Sequence, residues 1–109
     1  MSEKKEHIYY ANYSEEDIDR ICRQALRKWG KLTQVLMCIE ELSELIRALA
    51  KADRKINSVD KEEIASEIAD VHLMVRQMQI VFEINDITIA SLEEEKLDRL
   101  KRYLEEVSG

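Results

Sequence analysis

The 109 residues suffice for one domain and exclude two, since domains usually run to about 100–150 residues. With 45% hydrophobic and 37% charged residues, two glycines and no proline, the chain lacks the residues that punctuate turns and strands, so long helices follow. A formal charge of −6 excludes a general nucleic-acid binder, which needs clustered Lys and Arg, and no apolar run approaches the ~20 residues of a membrane span. Any bound phosphate would need a metal to offset this charge.

Residues 1–13 (MSEKKEHIYYANY) are charged and then aromatic without helical period, and are read as a flexible arm that docks, if at all, through Tyr9, Tyr10 and Tyr13. Residues 14–109 form the single all-helical domain. Ser14, followed by Glu15, Glu16 and Asp17, supplies an N-cap hydroxyl and first-turn acids, so the first helix starts there. Its apolar positions Ile18, Ile21, Cys22, Ala25, Leu26 and Trp29 recur at three and four residues, and Gly30 ends it.

A second helix is expected from about Thr33 to Ala52. Val35, Leu36, Ile39, Leu42, Leu45, Ile46, Leu49 and Ala50 give it an apolar face too wide for a two-helix seam, which marks it as central. Asp53–Val59 is polar and reads as a connection. Asp60 with Glu63 three residues on matches a capping box, so a third helix runs from Lys61 to about Ile84, burying Ile64, Ile68, Val71, Val75, Met78 and Phe82. Asn85 and Asp86 mark a turn, and Ile87, Ile89, Leu92, Leu97, Leu100, Tyr103 and Leu104 outline a fourth helix. The expected architecture is an all-α four-helix bundle. A domain this small buries only about two-thirds of the surface its unfolded chain exposes, so self-association is expected to complete the core.

Cys22 and Cys38 are isolated, with no Cys-x-x-Cys and no apolar signal segment, which points to reduced, buried thiols and a cytoplasmic protein. Trp29, Met37, Met74 and Met78 are expected in the core, although Trp29 could also stack on a base. His72 has no partner at ligand spacing.

The chemistry lies in two acidic patterns. Residues three apart on a helix sit about 60° apart, one turn along, so Glu41 and Glu44 share a face, as do Glu67 and Asp70. Glu40 joins the first pair at its edge. Both pairs interleave with core positions, where carboxylates repel and lose solvation unless cations neutralise them. All-oxygen ligation favours hard ions, Mg²⁺ with Mn²⁺ as a substitute, and the Glu-x-x-His of helical di-iron proteins is absent. Without a metal, the same residues would be salt-bridged, solvated helix faces.

The segments WGKLTQVLMCIEELSELIRALAK (29–51) and EIASEIADVHLMVRQM (63–78) resemble the MazG-like superfamily of all-α nucleotide pyrophosphohydrolases. The shared signature is Glu40-Glu41-Leu-Ser-Glu44 followed, after a gap, by Glu67-Ile-Ala-Asp70. The resemblance implies Mg²⁺ held by Glu41, Glu44, Glu67 and Asp70. It implies hydrolysis of a ribo- or deoxyribonucleoside triphosphate to the monophosphate and pyrophosphate, a house-cleaning role in the nucleotide pool, and a homodimer or homotetramer. Phosphoryl transfer needs charge neutralisation and a positioned water more than a covalent nucleophile, and Glu40 is the residue expected to orient or deprotonate that water.

For substrate contacts, Gln34 lies two turns before Glu41 and could meet the base or sugar, or else bond to backbone at the helix start. Lys51, with Arg47, Arg54 and Lys55, could receive the β and γ phosphates or simply complement the helix dipole. Lys96 and Arg99 occupy a region where relatives often carry a phosphate-binding Lys and Asn, but this chain has Lys96-Leu-Asp-Arg99 and no Asn. Two other readings fit the scaffold: a phosphoribosyl-ATP pyrophosphatase, and a non-catalytic helical interaction module.

Overall fold

The computed structural model describes residues 10–52 and 58–108, which form four α-helices and short turns, with no strand among them. The helices are α1 (Glu15–Trp29), α2 (Lys31–Ala52), α3 (Lys61–Val81) and α4 (Asp86–Ser108). Tyr9, Arg54 and Lys55 lie outside the described residues. No helix among these residues is long and apolar enough to cross a membrane. The chain divides within α3 into two compact units, Met1–Met78 and Gln79–Gly109.

In the first unit, Ser14 caps α1 reciprocally: its hydroxyl accepts from the Asp17 N–H at 3.0 Å, and the Asp17 carboxylate accepts from the Ser14 N–H at 2.9 Å. The helix ends as expected at Gly30, whose φ of 92° is a conformation that L side chains rarely adopt, while its N–H donates to the Leu26 carbonyl at 2.9 Å. Helix α2 then starts at Lys31, earlier than the expected Thr33, because the Gln34 N–H already reaches the Gly30 carbonyl. Asp60 caps α3 by accepting from the N–H groups of Glu62 and Glu63.

Helices α2 and α3 run antiparallel. Gln34 near the start of α2 bonds Gln77 near the end of α3, whereas Lys51 at the end of α2 pairs with Glu63 in the first turn of α3. Arg76 ties the start of α1 to α3 with a bidentate ion pair to Glu15, at 3.0 and 3.2 Å. The residues buried in this unit are Ile18, Cys22, Leu26, Gln34, Cys38, Ala48 and Met74.

This core is narrower than the sequence suggests. Ile21, Ile68 and Val75 are exposed, as are Met37 and most of the α2 apolar set: Leu36, Ile39, Leu42, Ile46, Leu49 and Ala50; Phe82, in the second unit, is exposed as well. Trp29 is 55% exposed, with the Lys28 ammonium 5.7 Å from its ring centroid, instead of sitting in the core. The reason is geometric: apolar residues surround α2 more widely than its contacts with α1 and α3 reach.

In the second unit, α3 stops at Val81, short of the expected Ile84. Glu83 takes a left-handed φ of 57°, the Ile84 N–H reaches back to the Gln79 carbonyl at 2.8 Å, and the Glu83 N–H reaches Ile80. This is a Schellman-type ending made without glycine, at a backbone cost of about 1 kcal/mol. The Gln79 side-chain amide braces the turn through the Ile84 carbonyl and the Asp86 carboxylate. Asn85 caps α4 by accepting from the Thr88 N–H at 2.8 Å. None of the large apolar residues of α4 is buried.

Candidate metal centre

The antiparallel register decides which side chains of α2 and α3 meet. With Gln34 opposite Gln77, each step of one turn along α2 is matched by one turn back along α3, so Glu41 arrives opposite Asp70 and Glu67. One carboxylate oxygen from each of Glu41, Glu67 and Asp70 lies within 4.8 Å of the others, and these three form the one such group among the described residues.

The setting is half-open. Glu41 and Glu67 are half-buried and Asp70 is exposed, so the carboxylates line the rim of the α2–α3 seam and not its interior. The expected placement among core positions is therefore replaced by one that water reaches. Electrostatic crowding persists: loss of hydration, and then the charges of Asp70, Glu67, Glu40 and Glu44, push the Glu41 carboxyl above the usual carboxylate range. No Lys or Arg among the described residues forms an ion pair with Glu41, Glu67 or Asp70, in contrast to their neighbours.

Hard oxygen donors, two helices to hold them and the lack of a neutralising cation suit a divalent ion of the Mg²⁺ type, with open positions left for water and phosphate oxygens. The bare geometry is also compatible with solvated acids, because such clusters occur without metal.

The other expected site residues stand outside this trio. Glu44 is half-buried, stands outside the close group and lies 3.7 Å from the Arg47 guanidinium. Glu40 is exposed and also outside the group; its backbone carbonyl accepts from the Ser43 hydroxyl at 2.7 Å. Lys51 is engaged with Glu63 at 3.0 Å. Lys96 and Arg99 are exposed on α4, in the second unit. His72 is exposed.

Gln34 is 5% exposed, and its side chain bonds across to Gln77 at 2.8 Å instead of turning back to its own helix start. Gln77 and Glu63 were not singled out by sequence reasoning. Gln77 lies seven residues after Asp70, the same two-turn offset that drew attention to Gln34, so that rule applied to α3 would have found it. Glu63 reads as a capping-box acid, but its carboxylate goes to Lys51.

Cys22 and Cys38 are free and buried, and burial pushes both thiols up, so they stay protonated and act as small apolar side chains. Comparison with known proteins adds no family: no family model, no curated protein and no solved structure matches this chain.

Proposed function

We propose that the chain is a Mg²⁺-dependent nucleoside triphosphate pyrophosphohydrolase of the MazG-like type, cleaving ribo- or deoxyribonucleoside triphosphates to monophosphate and pyrophosphate. The observation that carries this reading is the convergence of Glu41, Glu67 and Asp70 from two antiparallel helices with no cation among them. Glu44, one turn from Glu41, completes the acidic set once it leaves Arg47.

In this reading Glu41, Glu67 and Asp70 hold Mg²⁺, or Mn²⁺ in its place, which would supply charge neutralisation at the phosphates. Glu40, exposed beside the group, accepts a proton from the water that attacks the α-phosphorus. The water oxygen bonds to that phosphorus, the bond to the bridging oxygen breaks, and pyrophosphate leaves with the bonding electron pair. Lys51 reaches the β and γ phosphates by exchanging Glu63 for them. Two free thiols fit a reducing, cytoplasmic setting.

Assembly into a homodimer or homotetramer belongs to the same proposal. On α2, Leu32, Leu36, Ile39 and Ile46 form an exposed seam at coiled-coil spacing, with Leu32 72% and Ile46 66% exposed. Such a strip in water is best explained by a second copy.

The test is pyrophosphate release from a panel of standard, modified and phosphoribosyl-ATP substrates, with Mg²⁺ and with chelator. Metal-dependent release on nucleoside triphosphates that is lost in Asp70→Asn supports the proposal. Release confined to phosphoribosyl-ATP would redirect it, and no turnover on any substrate would leave the exposed seam as the functional surface of an interaction module.

A further inference from the structure

Two turns along the α2–α3 seam from the carboxylates lies a second polar rung. Gln34 stands seven residues before Glu41, and Gln77 seven after Asp70, so the amides and the acids share one stripe about 10 Å apart. Cys38 and Met74, both buried and apolar, separate the two rungs. That spacing is about the reach of a nucleoside from its phosphate to the far edge of its base.

The amide pair is asymmetric. Gln34 is buried and donates its Nε2–H to the Gln77 Oε1 at 2.8 Å, whereas Gln77 is only half-buried. A glutamine can rotate its amide to present either a donor or an acceptor. Here a buried donor occupies the Gln77 oxygen, which leaves the Gln77 NH₂ as the part of the amide that can donate to a ligand. Paired amides are also costly in an apolar seam: each carries more hydrogen-bonding capacity than their single shared bond uses, and Met or Leu would fill the space without that cost.

We infer that Gln77 reads the base of the bound nucleotide by donating its Nε2–H to a keto oxygen, with Gln34 as the positioning residue that holds the Gln77 amide in this orientation. The inference rests on the nucleotide reading above and extends it to base choice. The site takes bases with a carbonyl at the position where their alternatives carry an amino group: uracil or thymine over cytosine, and guanine over adenine. Against an amino group, the Gln77 NH₂ meets donor with donor, and that mismatch is the source of selectivity.

Binding of nucleoside monophosphates in the presence of Mg²⁺ tests this without requiring turnover. Uridine, guanosine, cytidine and adenosine monophosphates, with ribose 5-phosphate as the base-free reference, are titrated into the full chain while the glutamine side-chain amide resonances are followed. The keto nucleotides are expected to shift the Gln77 amide and to bind about tenfold or more tighter than the amino ones. Gln77→Glu, which offers an acceptor to the base while still accepting from Gln34, is expected to reverse the preference. Gln34→Leu, which frees the Gln77 amide to rotate, is expected to bring the ratio towards one with ribose 5-phosphate affinity unchanged.

Equal affinity for all four bases, or an equal loss for every ligand in both variants, overturns the inference and leaves the amides as seam packing. A Gln77 response to keto bases in a protein that hydrolyses no triphosphate upholds base reading and rejects the hydrolase. Hydrolysis without any base-dependent response does the reverse.

Discussion

The two faces of α2 invert the usual pattern of a helix. Its inner stripe, turned to α3, carries Gln34, Cys38, Glu41, Leu45 and Ala48, of which Leu45 alone is a large apolar residue and is half-buried. Its outer seam carries Leu32, Leu36, Ile39 and Ile46, all exposed. A helix stabilised only by its own chain would place the large apolar residues inside. The contrast puts the acids of the candidate metal centre on the inner face and leaves large apolar residues in water on the outer one.

The largest expected effect is on the inner face. At the proposed metal site, replacing a carboxylate by a neutral amide with Asp70→Asn should lower metal-dependent pyrophosphate release by more than about a hundredfold. Thermal melts offer an independent readout. Mg²⁺ at a hundred times its dissociation constant should stabilise the native chain by about 2.7 kcal/mol, and Asp70→Asn should abolish that gain. A variant that keeps both activity and Mg²⁺ stabilisation would remove Asp70 from the site.

On the outer face, Ile46→Glu inserts a charge into the seam and should shift the native mass by light scattering from an oligomer to a single chain. Concentration-dependent melting should vanish with it. A variant with unchanged mass would show that the seam is not the interface. Between the two faces, Asp60→Ala removes the cap of α3 and should cost about 1 kcal/mol in denaturant unfolding without changing the assembly.

Much of this contrast was legible in the sequence. The caps at Ser14 and Asp60 and the stop at Gly30 rest on local rules of spacing and hydrogen bonding. What escaped depended on the neighbours. Periodicity marks Ile46 and Leu36 as apolar but cannot say whether the surface that covers them belongs to the same chain. It placed the carboxylates on the seam but could not say that the register leaves Asp70 at the rim, with Glu44 beside Arg47. The left-handed Glu83 was invisible because nothing in its residue type announces that conformation.

The two smallest predictions set one carboxylate against another and expect opposite signs. Loss of hydration, and then the surrounding acids, push the Glu41 carboxyl up, so its charge works against the fold. Glu41→Gln should therefore raise the melting point in chelator by a few degrees at neutral pH while removing the response to Mg²⁺. Asp17 stands at the positive end of α1, where the Ser14 N–H, Arg20 and the Ser14 hydroxyl hold its carboxyl below the usual carboxylate range. A carboxyl lowered in the folded state stabilises the fold above its unfolded value and loses that contribution as pH falls through the folded one. Asp17→Asn should thus lower the melting point slightly at neutral pH, with the difference from the native chain closing below about pH 4. A gap that persists into acid would mean that Asp17 acts through its shape and not its charge. If both substitutions moved stability the same way, the crowded acids of the inner face would be no different from ordinary helix-end acids.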